Sequence, residues 1–305
     1  MLREFRREAR LMGSAFEFIV VATEDRGDEL LDAAIGEVKR IEDLLTEFSD
    51  NSQTALLNRT SGRAPVTVDP ETYALLQRCV TLSGLTQGAF DITAGVLKKL
   101  YNFKGGAPAW PDPGLLESTL QKVGFQHIRL LDNNRVFLEK PGMHIGFGAI
   151  GKGYAADRVK TLLQKEGVES AVINASGDLT AWGVRADGSP WKVGIADPND
   201  PARILLWLPV HHVSVATSGD YEQFFERDSV RYSHNIDPKT GFPVSGVKSV
   251  TVVSPSAELS DALATAVFVM GKEVGLHFIG QLPETHCILI DSTNKVHISR
   301  NLKII

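Results

Sequence analysis

Apolar positions first fall into a pattern at Ala15–Thr23, where AFEFIVVAT is rich in aromatic and β-branched residues and predicts a strand. The period then changes. Leu31, Ile35, Val38, Ile41, Leu45 and Phe48 step by three and four, painting one apolar stripe that predicts a helix over 28–48. Asp69-Pro70 starts a second helix with proline in its first turn, and Tyr73, Leu76, Cys79 and Val80 mark its core side. KGGAPAWPDP at 104–113 has no period and reads as a loop or hinge. A third helix is predicted over 152–166, stopped by Gly167, and a fourth from about Ser260 to Met270 with Gly271 after it. Short strands are predicted at 170–174, 191–196, 204–210, 213–216, 230–236 and 249–254, with 287–291 and 295–299 closing as a hairpin-like pair. There is no internal repeat and no low-complexity tract. Helices first and strands later predict an α+β fold rather than regular βαβ alternation.

Composition narrows the function classes. The 305 residues carry 32 basic and 37 acidic side chains, and a net charge of −5 argues against a nucleic-acid binder held by a general basic field. No run approaches 18 uninterrupted apolar residues, so no membrane-spanning helix is expected. Two cysteines, Cys79 and Cys287, make neither a disulfide framework nor a CxxC pair, and Cys79 is expected as a small buried hydrophobe. Residues 1–10 hold four arginines and two glutamates, and Glu17 interrupts the apolar stretch that follows, which makes a poor signal peptide. With no early cysteine to carry a lipid, the expected location is cytoplasmic as the sequence stands, or periplasmic if a leader has been removed.

Four segments concentrate Gly, Asp, Ser, Thr and His at predicted strand–helix junctions. In Gln87-Gly88-Ala89-Phe90-Asp91, a glycine with a neighbouring aromatic and carboxylate could hold a planar ring, or could simply be a tight turn with a buried Phe and a capping Asp. Gly146-Phe147-Gly148-Ala149-Ile150-Gly151-Lys152-Gly153-Tyr154 leads into a helix whose N-terminal N–H groups and Lys152 suit phosphate, but the spacing is neither Walker A nor GxGxxG. Thr217-Ser218-Gly219-Asp220-Tyr221 is followed by Ser233-His234-Asn235-Ile236-Asp237-Pro238, in which His234 is a candidate base or a polar residue satisfied by a turn. In Ser260-Asp261-Ala262-Leu263-Ala264-Thr265, Asp261 and Thr265 share a helix face and could ligate Mg²⁺, or could be ordinary helix-start chemistry.

Together and in this order, these segments resemble the ApbE family, flavin transferases that move FMN from FAD onto a protein threonine or serine. The resemblance runs from Leu11-Met12-Gly13-Ser14 through LLTEFSDNSQTALLN ending at Asn58, GAFD at 88–91, GFGAIGKGYAAD at 146–157, INASGD at 173–178, TSGDY at 217–221, SHNIDPKTGFP at 233–243 and SDALATAVFVMG at 260–271. It implies one ApbE-like domain over 1–305, subdivided at most near 104–113. The fold it implies has mixed or antiparallel sheets, packed helices and a ligand cleft between the helical and strand-rich parts.

For the site, the resemblance implies that Met12, Phe48, Ala89, Phe90, Asp91, Lys152, Ser218 and Ile236 line the FAD site, with Phe48 standing where members often carry a stacking tyrosine. Asp261, Thr265 and the backbone carbonyl of Ala149 fall on Mg²⁺ positions. Gly146 occupies an FAD-contacting position where an Asp is common, and Ala264 a position where some members have an acid, so the set has fewer carboxylates than the fullest version. The implied reaction is attack of a hydroxyl on the FMN phosphorus with release of AMP, with His234 or Asp237 as the base. FAD is then a substrate, Mg²⁺ the cofactor, and an acceptor flavoprotein with a Thr/Ser motif the partner; nucleic acid is not. An FAD pyrophosphatase and a non-catalytic flavin-binding protein are the alternatives.

Overall fold

A computed structural model describes residues 1–103, 110–221, 223–299 and 302. The fold is α+β, as expected. Its frame is an antiparallel eight-stranded sheet whose strands lie side by side in chain order: Arg3–Leu11, Ser14–Ala22, Ala171–Ala175, Asp178–Trp182, Val213–Gly219, Val247–Ser254, His286–Asp291 and Val296–Ile298. The period of two along each strand divides the core. Phe16, Phe18, Val20, Ala171 and Ile173 face a layer of helices, whereas Val21, Val172, Ala181 and Val215 face a separate hairpin of strands Trp191–Asp197 and Asp200–Val210.

Several boundaries differ from the sequence reading. Charged Arg3–Leu11, which carries no hydrophobic strand pattern, pairs along its whole length with Ser14–Ala22 as the sheet edge. Three of its four arginines are answered by acids, Arg7 by Asp28 and Asp32, Arg6 by Glu17 and Arg3 by Glu24, and such charge suits an edge that must not recruit another chain. Asp178–Trp182 and Phe224–Arg227 are further unanticipated strands, and the strand predicted over 230–236 stops at Ser233. The first helix spans Gly27–Leu45 and ends three residues short of Phe48, which is 91% exposed rather than part of the apolar stripe. Of the loop predicted over 104–113, residues 104–109 lie outside the described residues, while Asp112 caps and Pro113 opens a helix, Pro113–Leu120. Cys79 is buried in the helical core, and burial pushes its thiol up.

The last helix is longer than predicted. It runs from Ala257 to Ile279, with Ser256 accepting from Leu259 N as its cap, and Gly271 (φ +75°) kinks it instead of ending it. By length and a mean hydropathy of 1.4 this helix could cross a membrane, contrary to the expectation from uninterrupted apolar runs. Ser260, Asp261 and Thr265 break the run without lowering the average much. Its apolar face is instead taken by the sheet, where Leu263, Val267 and Phe268 pack on Val250, Val252 and Leu289.

Helices Gly151–Lys165 and Ala257–Ile279 cap each other. Asp157 accepts from Ala257 N at 3.0 Å and Glu258 N at 2.9 Å, and Asp261 Oδ2 accepts from Gly153 N at 3.1 Å. Only a glycine fits at 153, because a Cβ there would stand 2.2 Å from the Ala257 carbonyl oxygen. Removing the larger cap, by Asp157→Ala, is expected to cost about 1–2 kcal/mol, as for other N-terminal caps. Urea denaturation would show it as a lower midpoint at unchanged slope; an unmoved midpoint would refute the capping role.

Candidate functional site

The glycine-rich segment 146–151 turns into the Gly151–Lys165 helix with no side-chain cap at Ile150, so its first N–H groups look to neighbouring elements. Gly153 N finds Asp261. One residue earlier, Lys152 Nζ lies 2.5 Å from Asp178 Oδ2. Asp178 opens its strand after a Ser176-Gly177 turn in which both residues have positive φ, and only 3% of its side chain is exposed. Its Oδ1 accepts from Thr217 N at 3.3 Å. Burial pushes the Asp178 carboxyl up, and the Lys152 ammonium opposes that shift. The resemblance did not single out Asp178; the available signal was an acid opening the otherwise buried run Leu179-Thr180-Ala181-Trp182.

Asp261 and Thr265 sit one turn apart on the neighbouring helix, as their spacing predicts. Thr265 Oγ1 is 3.3 Å from Ser218 Oγ, on the strand that also carries Thr217. Lys152, Asp178, Ser218, Asp261 and Thr265 therefore gather where one helix start, one helix face and two strand ends meet. Partly exposed Ala149 stands two residues before that helix start. Met12 approaches from the first hairpin: its Cε lies 3.4 Å from where a Cβ on Gly151 would be. Met12 (φ +49°) and Gly13 (φ +72°) form a two-residue turn joining Leu11 to Ser14, a left-handed conformation uncommon for methionine and the sort of local strain that gathers at functional sites.

At 88–91 the side chains serve the fold. Phe90 is 1% exposed in the main core, so its ring cannot stack on a ligand. The Asp91 carboxylate is filled by Thr93 N, Thr93 Oγ1 and Phe125 N, and burial pushes it up. Ile236 is buried against Leu97 and Tyr101. The Phe90 ring and the Asp91 carboxylate are thus already engaged within the fold. The Asp237 carboxylate is likewise committed to its own turn, accepting from Lys239 N at 2.9 Å and Thr240 Oγ1 at 3.1 Å. Ala89 and Asp237 nevertheless face one cavity of about 280 Å³, whose far wall is Met270, Val274 and His277. A larger groove of about 760 Å³ on the hairpin side of the sheet is lined by none of the predicted site residues.

His234 differs from Asp237. Its Nδ1 is 3.1 Å from the Gln223 carbonyl oxygen, which can only accept, so Nδ1 carries the proton and Nε2 keeps its lone pair. Burial first, then the Lys98 and Lys152 ammoniums, push its pKa down to about 4. The imidazole is thus neutral near pH 7, within the field of Lys152, and able to take a proton.

The model of the ApbE family matches residues 12–289. The chain is similar to the FAD:protein FMN transferase of Treponema pallidum (34% identical, covering 99% of this chain and 88% of the relative) and to that of Vibrio cholerae (31%, covering 87% and 81%). Its fold matches the crystal structure of the ApbE protein of Thermotoga maritima with a TM-score of 0.88 at 30% identity, covering 98% of this chain and 97% of that one. The flavinyl transferase ApbE of Pseudomonas stutzeri, in its apo form, also gives 0.88, at 26% identity over 98% and 95%.

His234 makes stability depend on pH. Unfolded, its pKa returns to about 6.5, so unfolding takes up a proton between about pH 6.5 and 4, and stability falls as pH drops through that window. The loss is at most about 3.5 kcal/mol, 1.4 for each of the roughly 2.5 pH units. Urea midpoints at about pH 7 and pH 5 should therefore fall further in the wild type than in His234→Gln; equal falls would contradict the buried neutral imidazole.

Proposed function

The chain belongs to the ApbE family, and on that premise we propose that it is an FAD:protein FMN transferase, moving FMN from FAD to a threonine or serine hydroxyl of an acceptor protein and releasing AMP. One observation carries the reading to this chain's own residues: Lys152, the helix start beside it, Asp261 and Thr265 converge at one point. A pyrophosphate needs that combination of cation, N–H donors and oxygen ligands.

The donor set suits a hard ion. Among the described residues no group of three or more His, Cys, Asp or Glu side chains is gathered to hold a metal, which fits neither a zinc site nor an all-protein calcium cage. Mg²⁺ instead binds through one or two carboxylates and completes its shell with water and substrate phosphate. Asp261, the Thr265 hydroxyl and the Ala149 carbonyl would hold it, and when bound it supplies charge neutralisation at the phosphate oxygens.

The remaining steps fall to the protein. Lys152 binds the pyrophosphate oxygens, and Asp178 keeps the ammonium aimed from behind. Phe48, exposed and next in sequence to Glu47, whose carboxylate stands over Gly146, stacks on a ring of FAD. His234 Nε2 takes the proton of the acceptor hydroxyl as its oxygen forms a bond to the FMN phosphorus, and the bond from that phosphorus to the AMP oxygen breaks in line. Asp237, whose carboxylate is held by its turn, shapes the segment instead of accepting the proton.

Incubation with FAD, MgCl₂ and an acceptor domain should give a fluorescent acceptor band in a gel and one AMP per flavin transferred, both abolished by EDTA. Free FMN and AMP with water as acceptor would point to the pyrophosphatase, and intact FAD would refute turnover. Asp261→Asn retains an oxygen for Gly153 N, so it should fold normally yet lose nearly all AMP release; Asp261→Ala would also orphan that N–H, at about 1–3 kcal/mol. His234→Gln should slow turnover about 10²–10⁴-fold with FAD affinity kept. Phe48→Ala should weaken FAD binding by roughly 1–3 kcal/mol, by analogy with base–aromatic stacking, with no change in melting temperature.

A further inference from the structure

Next to the glycine-rich segment lies a carboxylate that the reading above does not use. Glu47 follows the Gly27–Leu45 helix and precedes exposed Phe48. Its Oε2 is 2.5 Å from His144 Nε2, and 27% of its side chain is exposed. Asn58 clamps the backbone beyond His144: it accepts from Ile145 N at 2.8 Å and donates to Ile145 O at 3.0 Å, with its Nδ2 also 3.3 Å from His144 Nε2. Gly146 N in turn donates to Ile92 O at 3.0 Å, tying the segment to the turn that carries Ala89. The frame around Glu47 is therefore fixed from two sides.

The other oxygen, Oε1, is set over Gly146. A Cβ on that glycine would come within 2.9 Å of it. A side chain at 146 and the Glu47 carboxylate thus compete for the same space, at the start of the segment that leads to Lys152. We propose that Glu47 is a substrate-binding residue of this site, its carboxylate reaching over Gly146 to accept a hydrogen bond from an amine or hydroxyl of the bound dinucleotide, with His144 as its positioning residue. This rests on FAD being the substrate. Exposed Phe48, next in sequence, supports it, since a stacking ring and a hydrogen-bond acceptor together recognise a heterocycle or its sugar. The glycine at 146, which on its own removes a carboxylate from the site, then makes room for one delivered from another element.

A swap tests this. The full chain is titrated with FAD by flavin fluorescence, with melting temperature read in parallel. Glu47→Ala should weaken FAD binding about tenfold or more, the size of one hydrogen bond to a charged group, and Glu47→Gln, which keeps the shape, should weaken it less. Gly146→Asp alone should also weaken binding, because it crowds Glu47 and places two carboxylates together. The double variant Glu47→Ala/Gly146→Asp should bind more tightly than either single variant. Titrations with AMP and with FMN assign the donor to the half of FAD whose affinity drops. If Glu47→Ala binds FAD as the wild type does, or if its loss is deepened by Gly146→Asp, Glu47 is only a support for His144 and the proposal falls. A wild-type protein that takes up no FAD would instead overturn the flavin reading itself.

Discussion

The structure depends on one close crossing, that of helices Gly151–Lys165 and Ala257–Ile279 at Gly153. There the backbones come so near that a single methyl at 153 would penetrate the Ala257 carbonyl. The helix starting at Gly151 has no side-chain cap of its own, whereas Ser256 caps the other. Each helix also supplies a carboxylate to its neighbour: Asp157 caps Ala257 and Glu258, and Asp261 takes Gly153 N. The crossing satisfies N–H groups at both helix starts, and it places Lys152 on one helix beside Asp261 and Thr265 on the other.

Around this crossing, the chemistry comes from desolvation as much as from residue type. Lys152 and Asp178 meet where the carboxylate is almost wholly removed from water, so each is held by the other's charge. His234 shows the opposite outcome. With two ammoniums in its neighbourhood and most of its ring buried, it gives up its proton and is left as a neutral acceptor. The Gln223 carbonyl fixes its tautomer.

The turns that flank the cavity follow another rule. Asp91 and Asp237 look like free acids on paper, but both accept from nearby N–H and O–H groups, Asp237 within its own turn and Asp91 also from the distant Phe125 N. Their carboxylates hold the backbone in shape. Met12 in its left-handed turn is a third case of local geometry set for a neighbour, since its side chain reaches Gly151 only because the hairpin reverses in two residues.

Hydrophobic period and start signals in the sequence placed the helices Gly27–Leu45, Pro70–Leu85 and Gly151–Lys165, with a stop legible only for the third, and most strands of the second half. The sequence also determined that Asp261 and Thr265 share a face, and the order of motifs identified the family. It could not reveal Arg3–Leu11, because a charged edge strand is made by its partner's hydrogen bonds and not by its own hydropathy. Tertiary structure alone decided which candidates still have chemistry to offer. Phe48, assigned by its spacing to a core stripe, is released by the helix ending at Leu45, while Phe90 is consumed by the core. Asp178 is recruited by Lys152, from 26 residues away. Whether a polar group is spent or available depends on which donors and acceptors lie within about 3 Å of it, and those partners come from distant parts of the chain.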